Sequence, residues 1–212
     1  MGIPVLILGE SGTGKSTSMR NMPEDTVIIQ AVSKPLPFRS QFKKRSEQNP
    51  TGQIIATDDW QRIIKTIQAA SNAGRKTVVV DDFQYVMANE FMRRTGERGF
   101  DKFTEIASHA WQLIMLSQSL PDDVIVYFMA HTESVDGRTK MKTIGKMLDE
   151  KITVEGLFTI VLRTRVDDGK YLFSTQNDGS DTVKTPMGLF DTQYIDNDLN
   201  EVNNAIKTYY GV

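Results

Sequence analysis

The chain has 212 residues, a formal net charge of −2 and no cysteine. That length supplies one α/β core and cramps two, so a single domain over residues 1–212 is expected. The missing cysteine excludes a disulfide framework, a thiol nucleophile and a cysteine-based zinc site, and the near-neutral charge confines any nucleic-acid site to a local patch.

Elements follow in chain order. Within "PVLIL", Val5–Leu8 reads as a buried strand that runs into "GESGTGKST", which fits G-x-x-x-x-G-K-[ST] with Gly9, Gly14, Lys15 and Ser16 in the fixed places. Glycines and small residues let backbone N–H groups curl around a polyanion, so Gly9, Glu10, Ser11, Gly12, Thr13, Gly14, Lys15, Ser16 and Thr17 are expected to cradle the phosphates of ATP. Lys15 reaches the β- and γ-phosphates, and the Ser16 hydroxyl holds Mg²⁺. Thr17–Met22 reads as a helix stopped by Pro23.

Val27–Ala31 is a short apolar strand, and residues 32–53, rich in Pro, Lys and Arg, read as a long surface loop. Within it Phe38 and Phe42 sit among Arg39, Lys43, Lys44 and Arg45, a pattern that suits single-stranded nucleic acid or a mobile loop anchored by two phenylalanines. A helix follows, capped by Thr57 or Asp58, with Trp60, Ile63, Ile64 and Ile67 on one face and Gly74 at its end. Thr77–Val80 then delivers Asp81 and Asp82 at a strand's carboxyl end, where ligands collect in open α/β sheets. Asp81 is the expected metal-associated carboxylate. Asp82 reads either as general base for the attacking water or as a capping residue.

Two helical patterns carry Phe83, Val86, Met87 and Phe91, then Phe103, Ile106, Ala110 and Leu113. Val124–Ala130 is the longest apolar run and far too short to span a bilayer; no signal peptide is expected, and the reading is a reducing cytoplasm without a membrane partner. His131 and Thr132, at that strand's end, read as a γ-phosphate sensor or as an ordinary polar terminus; His109, on a helix beside Trp111, reads as structural. Arg138, Lys140, Lys142 and Lys146 form a basic segment with three readings: a solvated face, contacts to nucleic-acid phosphates, or a cation supplied to a neighbouring subunit's ATP. A helix is expected near Ile144–Lys151, a hairpin turning at Asp167–Gly169, and a terminal helix over Asp198–Tyr210. Alternating strands and helices predict a mainly parallel sheet flanked by helices, closed by the C-terminal hairpin and helix.

Taken together, "LILGESGTGKST", "TVVVDDF", "HAWQLIMLSQSLPDDVIVYFMAHTES" and "TKMKTIGKML" resemble the phage-encoded RecA-like P-loop ATPases, a group of phage nucleotide-binding proteins that includes the Sak-type single-strand annealing ATPases. The resemblance implies a RecA-like core, ATP and Mg²⁺ binding, ATP hydrolysis and a homo-oligomer acting on single-stranded DNA in phage recombination or replication. It also implies a phage single-strand-binding protein as a further partner and the cytoplasm of an infected bacterium as the setting. By motif, His131 takes the sensor position, and Lys140 and Lys142 match lysines placed against a neighbour's nucleotide. RecA-like enzymes commonly carry a catalytic glutamate after their second strand; "VIIQAVSKP" has none, which leaves Asp82 or Glu133 as substitutes and implies slow turnover. The alternative is a nucleotide-dependent switch or assembly protein with a protein partner.

Overall fold

Strand residues alternate between two buried faces, and this alternation builds the molecule. The computed structural model describes residues 1–212, the side chain of Asp149 excepted. Six strands run parallel: β1 (Ile3–Leu8), β2 (Val27–Gln30), β3 (Ile54–Ala56), β4 (Thr77–Asp81), β5 (Ile125–Ala130) and β8 (Ile160–Asp167). Between β5 and β8 lies a separate antiparallel pair, β6 (Thr132–Val135) and β7 (Arg138–Met141). β9 (Lys170–Ser174) and β10 (Tyr194–Asp196) extend the main sheet antiparallel, giving the order β10-β9-β8-β1-β5-β4-β2-β3.

Leu6, Leu8, Val78, Val80, Val126 and Phe128 point to one face. There they meet α1 (Trp60–Asn72), α2 (Gln84–Arg93) and α3 (Asp101–Gln118) through Ile63, Ile67, Val86, Ile106 and Leu113. Val5, Ile7, Val79, Ile125, Tyr127 and Met129 point to the other face. They pack on α4 (Leu199–Tyr210) through Leu199, Val202 and Ile206, and on Met19 and Met22 of the phosphate-loop segment. Covering both faces explains why β1, β4 and β5 read as unbroken apolar runs. The one phenol in this core, Tyr127, is fully buried and donates to Asn203 Oδ1 at 3.1 Å, so its polar end is satisfied. The mainly parallel α/β sheet with its C-terminal hairpin and helix is the architecture expected.

Several local expectations are corrected. Asp59 caps α1, accepting from the Arg62 N–H at 2.7 Å, because Asp58 is engaged by Arg93 on α2. The segment after the phosphate loop is a 3₁₀ turn, Ser16–Asn21, and the helix expected near Ile144–Lys151 is a π-helical turn over Met147–Ile152. The long loop ends in β3, which is too short to show a period, and its Phe42 is an anchor, buried to 6 % exposure on the α4 side of the sheet. Base stacking through Phe42 is thereby removed. The basic stretch after His131 is not a loop but the β6–β7 hairpin, turning through Asp136 and Gly137, both at positive φ.

Candidate functional site

The loop after β1 is shaped by what it leans on. A Cβ on Gly9 would stand 1.8 Å from Thr164 Oγ1 of β8, and one on Gly14 would stand 3.0 Å from both Asn197 and Tyr171, with Gly14 also at φ +100°. Glycine is therefore required at both places. Thr13 Oγ1 lies 2.6 Å from Thr164 Oγ1 and donates to Glu10 O, which ties the loop to the sheet. The following 3₁₀ turn is short, so the cradle rests on loop N–H groups more than on a helix dipole.

Lys15 is 6 % exposed and folds back to donate to Gly9 O (2.6 Å) and Glu10 O (2.9 Å). Burial lowers its pKa to about 8, against the opposing pull of Asp82 and Asp81, so it stays cationic at neutral pH. Ser16 Oγ donates to both oxygens of Asp81 at 3.0 and 3.1 Å. Asp81 is 1 % exposed, and burial together with the charge of Asp82 pushes its carboxyl up to about 6.

One residue on, Asp82 stands at φ +59°, a left-handed conformation that costs a non-glycine residue about 1–2 kcal/mol. The Phe83 N–H, donating to Met129 O at 2.8 Å, fixes the bend. The kink turns the Asp82 carboxylate into the cleft, where it pairs with Lys34 and lies 3.5 Å from His131 Nε2. Burial pushes Asp82 up, but His131 and Lys34 more than offset it and hold it below the usual carboxylate range. His131 itself is fixed by its backbone: its N–H donates to Gln84 Oε1 and its C=O accepts from the Lys142 N–H at 2.9 Å.

These groups converge because β1, β5, β4 and β2 are neighbours whose carboxyl ends open on one side. The cleft, about 340 Å³, is lined by phosphate-loop residues with Lys34, Pro35, Pro37, Asp82, His131 and Tyr171. A second cleft, sharing Thr17 and Tyr171 with it, runs on past Arg20 and Asn197. Thr132, Glu133, Lys140 and Lys142 do not line the cleft. Glu133 and Lys140 face one another across the β6–β7 hairpin, and Lys142 is exposed beyond it. His109 stacks on Trp60 at 4.1 Å with Nδ1 2.9 Å from Glu90, a structural contact as read.

Lys34 and Tyr171 escaped sequence reasoning. Lys34 was one charge in a polar loop, within residues 31–35 directly after β2, which carry no glutamate. Tyr171 reaches the phosphate loop only through the β8–β9 pairing, which sequence spacing does not reveal.

Among the described residues no cluster of three or more His, Asp or Glu side chains could cage a metal. Ser16 and Asp81 offer two hard oxygen donors side by side, which suits Mg²⁺ completing its shell with phosphate oxygens and water. Fold and site together are those of a P-loop NTPase. A family model described as an AAA domain matches residues 1–186; the chain belongs to that family and is of the AAA type, a class whose members are in general ATPases. The match stops before β10 and α4, so Asn197 lies outside it. A search of curated proteins finds no match.

Proposed function

We propose that the chain is an ATP-binding, slowly ATP-hydrolysing protein of phage DNA recombination or replication, akin to the Sak-type annealing ATPases, that binds single-stranded DNA according to nucleotide state. In this reading Gly9–Thr17 hold the phosphates, Lys15 faces the β- and γ-phosphates, and Ser16 and Asp81 hold Mg²⁺, which supplies charge neutralisation when bound. Asp82 accepts the proton of the attacking water, with His131 beside it. Glu133 sits on the hairpin and is the weaker candidate base.

One observation carries the DNA half. Both ends of the β6–β7 hairpin are pinned at His131: β6 leaves from it, and the Lys142 N–H returns to its carbonyl. A change beside Asp82 thus reaches a hairpin bearing Arg138 and Lys140, with Lys142 directly after it. The expected result is stronger anisotropy of a labelled oligonucleotide with a non-hydrolysable ATP analogue than without nucleotide. No binding in either condition at low salt would remove the DNA reading.

Lys140 and Lys142, outside their own cleft, are where a homo-oligomer would present cations to a neighbour's γ-phosphate. Mixing Lys15→Ala chains with Lys140→Ala/Lys142→Ala chains should then restore ATPase. No recovery from a demonstrably mixed oligomer contradicts it. The protein-partner reading is favoured by one feature, the last turn of α2 and the connection to α3, where Met92 and Phe100 stand 65 % and 84 % exposed.

A further inference from the structure

The cleft holds two ammonium groups, and only Lys15 has a role so far. Lys34 comes from the loop after β2, and its only ion pair is with Asp82, among the described residues. Its side chain is 44 % exposed, whereas the Asp82 carboxylate it neutralises is 3 % exposed. Burial would lower the Lys34 pKa, but the Asp82 contact more than offsets it and raises it, so the ammonium is charged. Lys15 and Lys34 also repel each other across the cleft. A polyanion lying between them would relieve that repulsion.

Position decides which part of the polyanion Lys34 meets. The cleft has two ends. Thr17 and Tyr171 mark one, where it opens into the second cleft and where a nucleoside would leave the phosphate loop. Lys34, Asp82 and His131, which the second cleft does not share and which meet at Asp82, next to Asp81, define the other. With Lys15 directed to the β- and γ-phosphates, that far end belongs to the terminal phosphate.

We propose that Lys34 reads the γ-phosphate: without nucleotide it neutralises Asp82, and a bound nucleoside triphosphate, but not a diphosphate, draws it off the carboxylate. This rests on the nucleotide reading above and adds to it. The exchange needs no new charge inside the protein. The exposed ammonium moves a short way from one anion to another, and the buried carboxylate is left facing the space beside the terminal phosphate with His131 as its remaining partner. Lys34 is followed by Pro35 and, two residues on, Pro37, whose fixed φ angles let its displacement pass into the loop instead of being absorbed. A cation thus stands directly after β2, in residues 31–35, which carry no glutamate. It makes the site a discriminator between tri- and diphosphate.

The test is calorimetric titration with Mg²⁺ and either ADP or the β,γ-imido analogue of ATP. Lys34→Met keeps the stem and removes the charge; it should weaken the triphosphate analogue roughly ten-fold or more, the scale of one lost hydrogen bond to a charged group, and leave ADP nearly unchanged. Lys34→Arg should retain most of the preference. Asp82→Asn removes the competing carboxylate and should shift the preference further toward the triphosphate. ADP binding doubles as the check that each variant is folded. Equal losses for both ligands in Lys34→Met would show that Lys34 merely holds Asp82 in place and would overturn the proposal, as would no change for either. Failure of both ligands to bind the unmodified protein would instead overturn the nucleotide reading itself, and this proposal with it.

Discussion

Asp81 carries a cost that its proposed place in a Mg²⁺ site explains. Its carboxyl titrates near 3.8 in an unfolded chain and near 6 in this fold, chiefly because burial disfavours the charge. Between those values the folded chain keeps a proton that the unfolded chain has released, so rising pH destabilises the fold across that window and not outside it. At about 1.4 kcal/mol per unit, two units amount to about 3 kcal/mol at neutral pH. Asp81→Asn escapes that penalty. Without Mg²⁺ or nucleotide, its melting temperature should exceed that of the unmodified protein above pH 6, with the gap closing toward pH 4. Its Mg²⁺-dependent nucleotide binding should be weaker throughout. A gap that does not change with pH would show that Asp81 ionises without strain. The residues of this pair were legible in the sequence because a local motif fixes Ser16 and a strand end fixes Asp81. Lys34 was not, because only the path of its loop brings it to Asp82, 48 positions away in sequence.

At the scale of elements, long apolar or periodic stretches announced themselves. β1, β4 and β5 are buried on both faces, and α1 and α3 each carry a continuous apolar face onto the sheet. The elements that went unseen are short or polar. β3 and β10 have three residues each, and β6 and β7 pair outside the main sheet, with only Met141 of the eight residues buried. Their pairing shows no hydrophobic alternation to read. That hairpin is nevertheless the element through which nucleotide state is proposed to reach DNA. In the oligonucleotide titration, phosphate contacts should give a log–log salt slope of roughly −0.7 per neutralised phosphate. Replacing Arg138 and Lys142 by Ala should flatten the slope; an unchanged slope with unchanged affinity would place the DNA elsewhere.

The whole molecule gathers its chemistry at one edge. Strand order places the phosphate loop, Asp82, His131 and Lys34 at the carboxyl ends of adjacent strands, while the β8–β9 hairpin and the segment before α4 brace the loop from behind through Thr164, Tyr171 and Asn197. No helix is long and apolar enough to cross a membrane among the described residues. With an overall charge of −2, the DNA contact proposed above would fall to the basic hairpin and to the exposed Arg39, Lys43, Lys44 and Arg45. All of this depends on the cleft taking a nucleoside triphosphate with Mg²⁺. Titrating ATP into the unmodified protein and into Lys15→Ala, each with and without Mg²⁺, tests that most directly. The account predicts Mg²⁺-strengthened binding that is lost in a Lys15→Ala chain of unchanged fold; equal affinity in the two proteins would contradict it.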